Sequence, residues 1–244
     1  MNKSKFGILV IIAIITALVF FACGDSIDGD SEVYAGYGPE VGGVRYKVGD
    51  EGPGGGIIFY VRREGNPFTL YMDAADTIGK PAHYLEAAPG GWYTSTAPDD
   101  PLLAWAPSSD SDAYETVSST SFEIGTGRKN TALILAAGGG DESVTAPAAN
   151  VCVTYSTTGA AAGEWFLPSR DELARLYDFH FYIKQNAANY PGLTTGFSDN
   201  RYWSSSQDVN SSNHVWGQRF SDGFQGGGIN KSNTDVDVRA VRAF

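Results

Sequence analysis

The hydrophobic and polar positions divide the chain into one long apolar segment near the N-terminus and several shorter elements after it. Residues 6–22 form the long segment, which follows a short basic stretch and contains no charge. Further on, two apolar runs at 57–61 and 83–88 predict buried strands, the first directly after a cluster of turn-forming glycines. Apolar and polar residues alternate from 238 to 244, and this predicts a strand at the end of the chain.

Two segments in the middle of the chain have helix-forming composition. Residues 130–137 are rich in Leu and Ala and stop at three consecutive glycines, which predicts a helix. Residues 146–155 are compatible with either a helix or a strand, and we favour the helix.

The clearest helix signal follows Pro168. Ser169 is the expected N-cap, and Glu172 stands three residues later, as in a capping box. Leu173 and Leu176 then begin an apolar face with helical spacing. Helices and strands together predict an α+β fold class with much ordered loop, in one domain.

The apolar segment at 6–22 has the features of a targeting sequence. It ends at Ala22 and Cys23, and a small residue directly before such a cysteine resembles a bacterial lipobox. Signal-peptide cleavage after residue 22 and acylation of Cys23 would then anchor the protein in a membrane. A plain secretory signal or an uncleaved spanning helix is the alternative.

Composition and charge limit the classes of protein that remain. The chain has 244 residues, of which 13% are aromatic, and this excludes disorder for most of its length. A net charge of −11 argues against nucleic-acid binding, which needs a basic face. Cys152 lies among apolar residues and is expected to be a buried small side chain and not a reactive thiol.

Chemistry-bearing motifs are weak in this sequence. The glycine cluster at 52–56 precedes a strand and lacks the Lys-Ser/Thr of a phosphate loop. The three histidines have no metal-ligand spacing, and solvated loop charges are favoured over a cation site. We therefore predict no metal, no cofactor and no enzymatic activity. The residues considered for metals are His83, His180, His214, Asp99, Asp100, Asp110 and Asp112.

Two motifs carry a resemblance to a known group of domains. Residues 163–173 read GEWFLPSRDEL, and the chain ends with VRAVR at 238–242 after YWSSS at 202–206. These motifs resemble formylglycine-generating-enzyme-like domains, a branch of the C-type lectin fold. Taken together over about 45–244, they resemble the treponemal variable lipoproteins that are products of diversity-generating retroelements. The enzymes of that branch need a C-terminal cysteine pair, which is absent here because no cysteine follows Cys152.

The resemblance implies a domain organisation and a function. A signal peptide at 1–22 would be followed by an acidic tether at 23–43 and by a C-type-lectin-like domain at 44–244, variable from about 203. The implied function is binding of a protein ligand, on host or neighbouring cells, by a monomeric lipoprotein of the outer membrane or cell surface. The alternative is an adhesion or structural lipoprotein of the same group without diversification, and carbohydrate binding is a third.

Adenine mutagenesis of AAY codons, which the resemblance implies, cannot produce Lys, Gln, Glu, Met or Trp. Positions in the tail that such codons can encode are the predicted ligand-binding residues: His214, Gly217, Arg219, Asp222, Phe224, Gly226, Gly227, Gly228, Ile229, Ser232, Asp235 and Asp237. The predicted scaffold consists of Trp165, Pro168, Trp203, Trp216, Phe220, Arg239 and Arg242.

The residues themselves favour the same region for recognition. Phe224 follows the core aromatics in a glycine-rich segment, and Arg219 beside it would complete a pair typical of binding hot spots. The alternative is that Phe224 packs a loop onto the sheet. Trp216, in contrast, is expected to lie in the core.

Overall fold

A computed structural model describes residues 36–94, 100–106, 117, 119–137, 146–185 and 196–244. The predicted signal peptide, Cys23 and the first part of the predicted tether lie outside these residues, as do Asp99, Asp110 and Asp112. The described residues belong to one compact unit that spans residues 31–244.

Three helices and ten short strands make up this unit as far as it is described. The strands are β1 (Glu40–Val41), β2 (Val44–Arg45), β3 (Ile57–Val61), β4 (Phe68–Leu70), β5 (Lys80–Ala82), β6 (Tyr84–Ala87), β7 (Arg201–Gln207), β8 (His214–Arg219), β9 (Gln225–Asn230) and β10 (Val241–Ala243). The helices are α1 (Gly127–Ala137), α2 (Pro147–Thr154) and α3 (Arg170–Gln185). An α+β fold is thereby confirmed.

One antiparallel sheet joins the first half of the domain to the C-terminal end. Its strand order is β10-β6-β3, so the last strand pairs with β6 and not with a sequence neighbour. Both predicted strands of the first half are present, as β3 and β6, and four of the five β3 residues are buried. The final strand is shorter than the predicted 238–244, because Val238 and Ala240 bond to Pro101 and Ala88 outside any strand.

A second antiparallel sheet, β7-β8-β9, contains the predicted ligand-binding tail. β7 is buried at six of its seven positions, whereas β8 alternates and β9 is mostly open. Residues of α1 and α3 contact β7, and α3 also contacts β8. The sheet therefore has one strand fixed in the interior and one strand, β9, at its edge.

The predicted capping box of α3 is confirmed, and its Glu172 also bonds to a residue outside α3. The Glu172 carboxylate accepts from the Ser169 backbone at 2.7 Å, and the Ser169 hydroxyl accepts from the Glu172 amide at 3.3 Å. Glu172 also accepts the backbone N–H of Gly125 at 2.8 Å, just before α1. This long-range cap explains why α1 begins at Gly127 and not at the predicted residue 130.

The folded part of the chain begins before the predicted boundary at residue 44. The β1–β2 hairpin occupies 40–45, and Gly38 is buried against the ring of Tyr84, whose hydroxyl donates to the carbonyl of Pro39. Residues 38–43 thus belong to the domain, because Tyr84 holds them, and they are not part of a free tether.

The interior consists of two clusters of buried side chains. One lies around Phe59, Tyr84 and Phe179, and the other around Trp105 and Trp203. Trp92 and Trp105 also lie in the interior, with 7% and 0% of their surface exposed. Cys152 is fully buried in the second cluster, and burial raises the pKa of its thiol well above the ordinary value. α2, which includes Cys152, confirms the preference for a helix over a strand.

Candidate ligand-binding surface

A buried ion pair connects strand β7 of the β7-β8-β9 sheet to the segment before β10. The Arg239 guanidinium lies 2.7 Å from the carboxylate of Asp100, and both side chains are at most 1% exposed. The same carboxylate accepts from the indole of Trp92 at 2.7 Å and from the hydroxyl of Tyr202 at 2.7 Å. Two N–H groups of Arg239, the Trp92 indole and the Tyr202 hydroxyl thus satisfy a charge that would otherwise be costly to bury, and the network ties β7 to the residues before β10.

A second ion pair fixes the other sheet in the same manner. Arg242 in β10 lies 2.6 Å from the carboxylate of Glu86, which is fully buried in β6, and 2.8 Å from that of Glu164. Burial raises the pKa of Glu86, and the hydrogen bond from Arg242 opposes this rise. Both arginines of the terminal VRAVR motif, which the sequence analysis assigned to the scaffold, therefore make ion pairs with buried carboxylates.

Other predicted scaffold residues lie in the interior as expected. Trp165 and Trp203 have no exposed surface, Phe220 is 2% exposed, and Pro168 is buried. The indole of Trp203 donates to the carbonyl of Leu103 at 2.8 Å, so it also anchors the chain segment that precedes α1.

Trp216 differs from its predicted core position. It is half-buried on β8, and its ring packs edge to face with Phe122 at 5.7 Å between centres. The Arg170 guanidinium lies 4.2 Å from the Phe122 ring centre and 5.2 Å from that of Trp216. The prediction was wrong because the neighbouring Val215 and Gly217 are buried, so the alternation of side chains along β8 places Trp216 on the other face of the strand.

Three of the twelve predicted ligand-binding residues do not face solvent. Ile229 is 5% exposed and packs in the core with Val215 and Trp203. Asp237 is 2% exposed, accepts the hydroxyl of Ser198, and bonds through its backbone to β7. Gly217 is buried, and a Cβ there would lie 2.6 Å from the carbonyl oxygen of Tyr202. We correct the predicted ligand-binding set by removing these three, because none of them can contact a ligand.

The remaining nine residues lie at least partly on the surface. Gly228, Asp222, Phe224 and Asp235 are exposed. The other five are half-buried: His214, Arg219, Gly226, Gly227 and Ser232. Arg219, Asp222 and Phe224 lie at the β8–β9 turn, and the three glycines lie along the edge strand β9. His214 begins β8 opposite Asn230, the last residue of β9, and Ser232 and Asp235 follow β9, so the nine residues are spread from one end of this edge to the other.

The turn between β8 and β9 presents an aromatic ring beside a charged pair. Phe224 is 58% exposed, and the Arg219 guanidinium lies 5.7 Å from its ring centre. Arg219 also bonds to Asp222, which lowers the pKa of that carboxyl to about 2. The ring also lies beside Gly226 of β9, so it is exposed to solvent and close to the sheet at the same time.

The glycines of the tail differ in what a side chain would meet. A Cβ at Gly228 has no atom within 4 Å, whereas one at Gly227 would approach the Trp216 indole at 2.9 Å. At Gly226 the nearest atoms belong to the exposed ring of Phe224, which can move. Gly223 has a φ of +77° and lies directly on Tyr177, so only glycine fits there.

Comparison with known proteins identifies the family to which the chain belongs. The profile of the Lcl C-terminal domain matches residues 103–242 of the chain. The chain belongs to the Lcl C-terminal domain family. This family has the C-type lectin fold and comprises domains of diversity-generating retroelement variable proteins, as the sequence motifs indicated. No curated protein shows significant similarity to the chain.

Membership of the Lcl C-terminal domain family agrees with a binding role. The family is lectin-like and is not an enzyme family. Its matched range includes all twelve predicted ligand-binding residues and ends at Arg242, within the last strand. The first sheet draws β3 and β6 from residues before the matched range, so the fold of this chain extends beyond the family profile.

Phe122, Arg170 and Asp208 were not identified from the sequence, although all three lie beside the predicted ligand-binding tail. Arg170 and Phe122 pack on Trp216, and Asp208 lies next to the backbone of Gly227. No local pattern distinguishes them, because their position depends on how α3 and the segment before α1 meet β8.

One further cavity of the described chain is lined by none of the predicted ligand-binding or scaffold residues. An open groove of about 680 Å³ lies between the β4–β5 hairpin and the start of α1 and is lined by hydroxyl side chains and Lys129. Among the described residues no group of three acidic, His or Cys side chains could hold a metal ion. Within the same residues no helix is long and apolar enough to cross a membrane.

Proposed function

We propose that the chain is a lipid-anchored surface protein that binds a protein ligand through side chains diversified by a retroelement. Its binding surface comprises the β8–β9 turn, the edge strand β9 and the segment that follows. The exposed pair of Phe224 and Arg219 carries the proposal, because an aromatic ring and a guanidinium together are typical of protein-binding hot spots.

The division between open and buried positions supports diversification of this surface. Gly228 and Phe224 can change without contact to the core, whereas Gly217 and Ile229 cannot. The buried pair of Arg239 and Asp100 keeps the sheet rigid below the surface. A rigid support lets side chains vary while the ordering cost of binding stays low.

Sequencing the 3′ end of the gene across many clones tests the diversification. We expect adenine-specific variation at the codons of the nine surface positions, with a template copy and a reverse transcriptase gene nearby. The matched control is the set of codons for Gly217, Ile229 and Asp237, which should stay constant because their side chains are internal. An invariant 3′ end would leave a non-diversified adhesion or structural lipoprotein as the function.

A display library tests whether the surface binds proteins. Positions 219, 222, 224, 226 and 228 are randomised on the otherwise unchanged chain and selected against a panel of purified proteins. We expect folded, specific binders from this library. A matched library at 217, 229 and 237 should yield mostly unfolded chains, because those positions lie inside the sheet. Failure of the first library to give any specific binder would contradict the proposed function.

A further inference from the structure

β9 is an edge strand with one free side in the described part of the chain. It pairs with β8 alone among the described strands. Between Gly226 and Gly228, no backbone group takes part in a hydrogen bond outside the β8–β9 ladder, as far as the described residues extend. Because alternate N–H and C=O groups of such a strand point away from its neighbour, β9 presents donors and acceptors to solvent.

The middle of β9 has no side chain of its own to block this edge. Natural edge strands are commonly blocked by Lys, Pro or inward-pointing charges. In β9 the central positions are three glycines that are half-buried or exposed, and a Cβ at Gly228 would meet open space. The backbone of β9 is therefore accessible to another chain at close range.

The ladder between β8 and β9 also contains a bulge. Pairing passes from Gly217↔Gly226 to Val215↔Ile229, so Gly227 and Gly228 together lie opposite Trp216. A bulge increases the local twist of a strand and turns it away from the flat edge of another folded sheet. A flexible peptide can follow that twist, whereas a second copy of a rigid domain cannot follow it so readily.

We infer that β9 binds an extended peptide segment of the ligand as a fourth strand of the β7-β8-β9 sheet. This inference rests on the proposed function and specifies how the ligand is held. Main-chain hydrogen bonds to β9 supply affinity that does not depend on the variable side chains. Phe224 at one end of the strand and Ser232 beyond the other lie beside such a peptide and supply the specificity.

Selection of linear peptides tests the inference without knowledge of the natural ligand. A phage-displayed library of random linear peptides is selected on the full chain in detergent, and a selected peptide is then N-methylated at one amide at a time. We expect methylation at alternate positions to weaken binding by about tenfold or more, with little effect at the positions between. Such a period of two is the signature of a strand whose alternate amides face its neighbour.

Two variants of one residue provide the matched control on the protein. Gly228→Pro removes the backbone N–H of Gly228 and places a rigid ring in the middle of β9, so it should abolish peptide binding. Gly228→Ala keeps the N–H and adds a methyl group in open space, so it should weaken peptide binding far less than Gly228→Pro does. Circular dichroism and a thermal melt determine whether each variant is folded. If Gly228→Pro does not fold, the methylation pattern of the peptide remains as an independent test.

Several results would overturn docking on β9. They are a library that yields no peptide, a methylation series without alternation, and a folded Gly228→Pro variant that binds normally. A dimer of the chain that Gly228→Pro dissociates would show that a second copy is the occupant. Peptide binding that depends on Phe224 and Arg219, but lacks the alternating pattern, would leave the proposed function intact and remove the strand pairing.

Discussion

At the scale of single residues, the aromatic side chains of the second sheet and its β8–β9 turn differ in how much they contribute to the stability of the fold. Trp203 has no exposed surface, Trp216 is half-buried, and Phe224 is 58% exposed. We expect Trp203→Ala to lower the free energy of unfolding by about 3–5 kcal/mol, because it leaves a large cavity. Trp216→Ala should cost less, and Phe224→Ala should leave the melting temperature nearly unchanged.

Chemical denaturation of the three variants measures this order directly. Equal losses for Trp216→Ala and Trp203→Ala would mean that Trp216 is a core residue, as the sequence pattern first indicated. A large loss for Phe224→Ala would show that its ring supports the loop and is not free for a ligand.

Asp237 makes stability depend on pH in the direction opposite to that of an acid whose pKa is lowered by folding. Burial raises the pKa of its carboxyl from 3.8 to about 6. The folded state therefore binds this proton more tightly than the unfolded state, and the contribution of Asp237 to stability falls as pH rises from about 4 to about 6. Above and below that window the contribution should be constant.

Comparison with Asp237→Asn isolates this effect. The free energy of unfolding of the parent, relative to that of the variant, should decrease across the window and level off above about pH 6. Urea titrations at several pH values measure it. A difference that stays constant from pH 3 to 8 would contradict the raised pKa.

At the scale of elements, the pair of Arg239 and Asp100 joins the C-terminal segment to β7 and to the loop at 100–106. Arg239→Met leaves the buried carboxylate of Asp100 without its cation, and we expect a loss of about 3–5 kcal/mol in the free energy of unfolding. Replacing both residues, as Asp100→Asn with Arg239→Met, should recover part of the loss because no buried charge remains.

The exposed pair of Arg219 and Asp222 provides the matched control. Its side chains are 43% and 48% exposed, so solvent screens the interaction and Arg219→Met should change stability little. Thermal melts of the single and double variants decide the point. A double variant less stable than Arg239→Met alone would show that Asp100 has a further structural role.

At the scale of the whole molecule, anchoring should depend on one of the two cysteines. We expect the full chain, produced in a bacterium that processes lipoproteins, to incorporate labelled fatty acid, and Cys23→Ser to prevent incorporation. Cys152→Ser is the matched control and should retain the label, because the Cys152 thiol is fully buried. Label in the Cys23→Ser variant would contradict the proposed anchor.

Local sequence signals predicted those elements whose formation depends on residues close together in the sequence. The capping box at Ser169 and Glu172, the buried strands at 57–61 and 83–88, and the helical preference of 146–155 all follow from spacing and composition. The terminal arginines were identified as scaffold from the resemblance of their motif, and the structure shows the buried carboxylates that they bind.

Contacts between distant segments decided the rest of the candidate surface. The sequence by itself determined the fold class, the family motifs and the stretch of chain that carries the predicted site. Only the tertiary structure decided that Ile229 faces the core, that Trp216 faces outward beside Arg170, and that β9 has a free edge. The physical reason is that the bulge in β9 changes which face of that strand Ile229 occupies, and that the buried face of β8 and the open edge of β9 depend on which segments pack beside them.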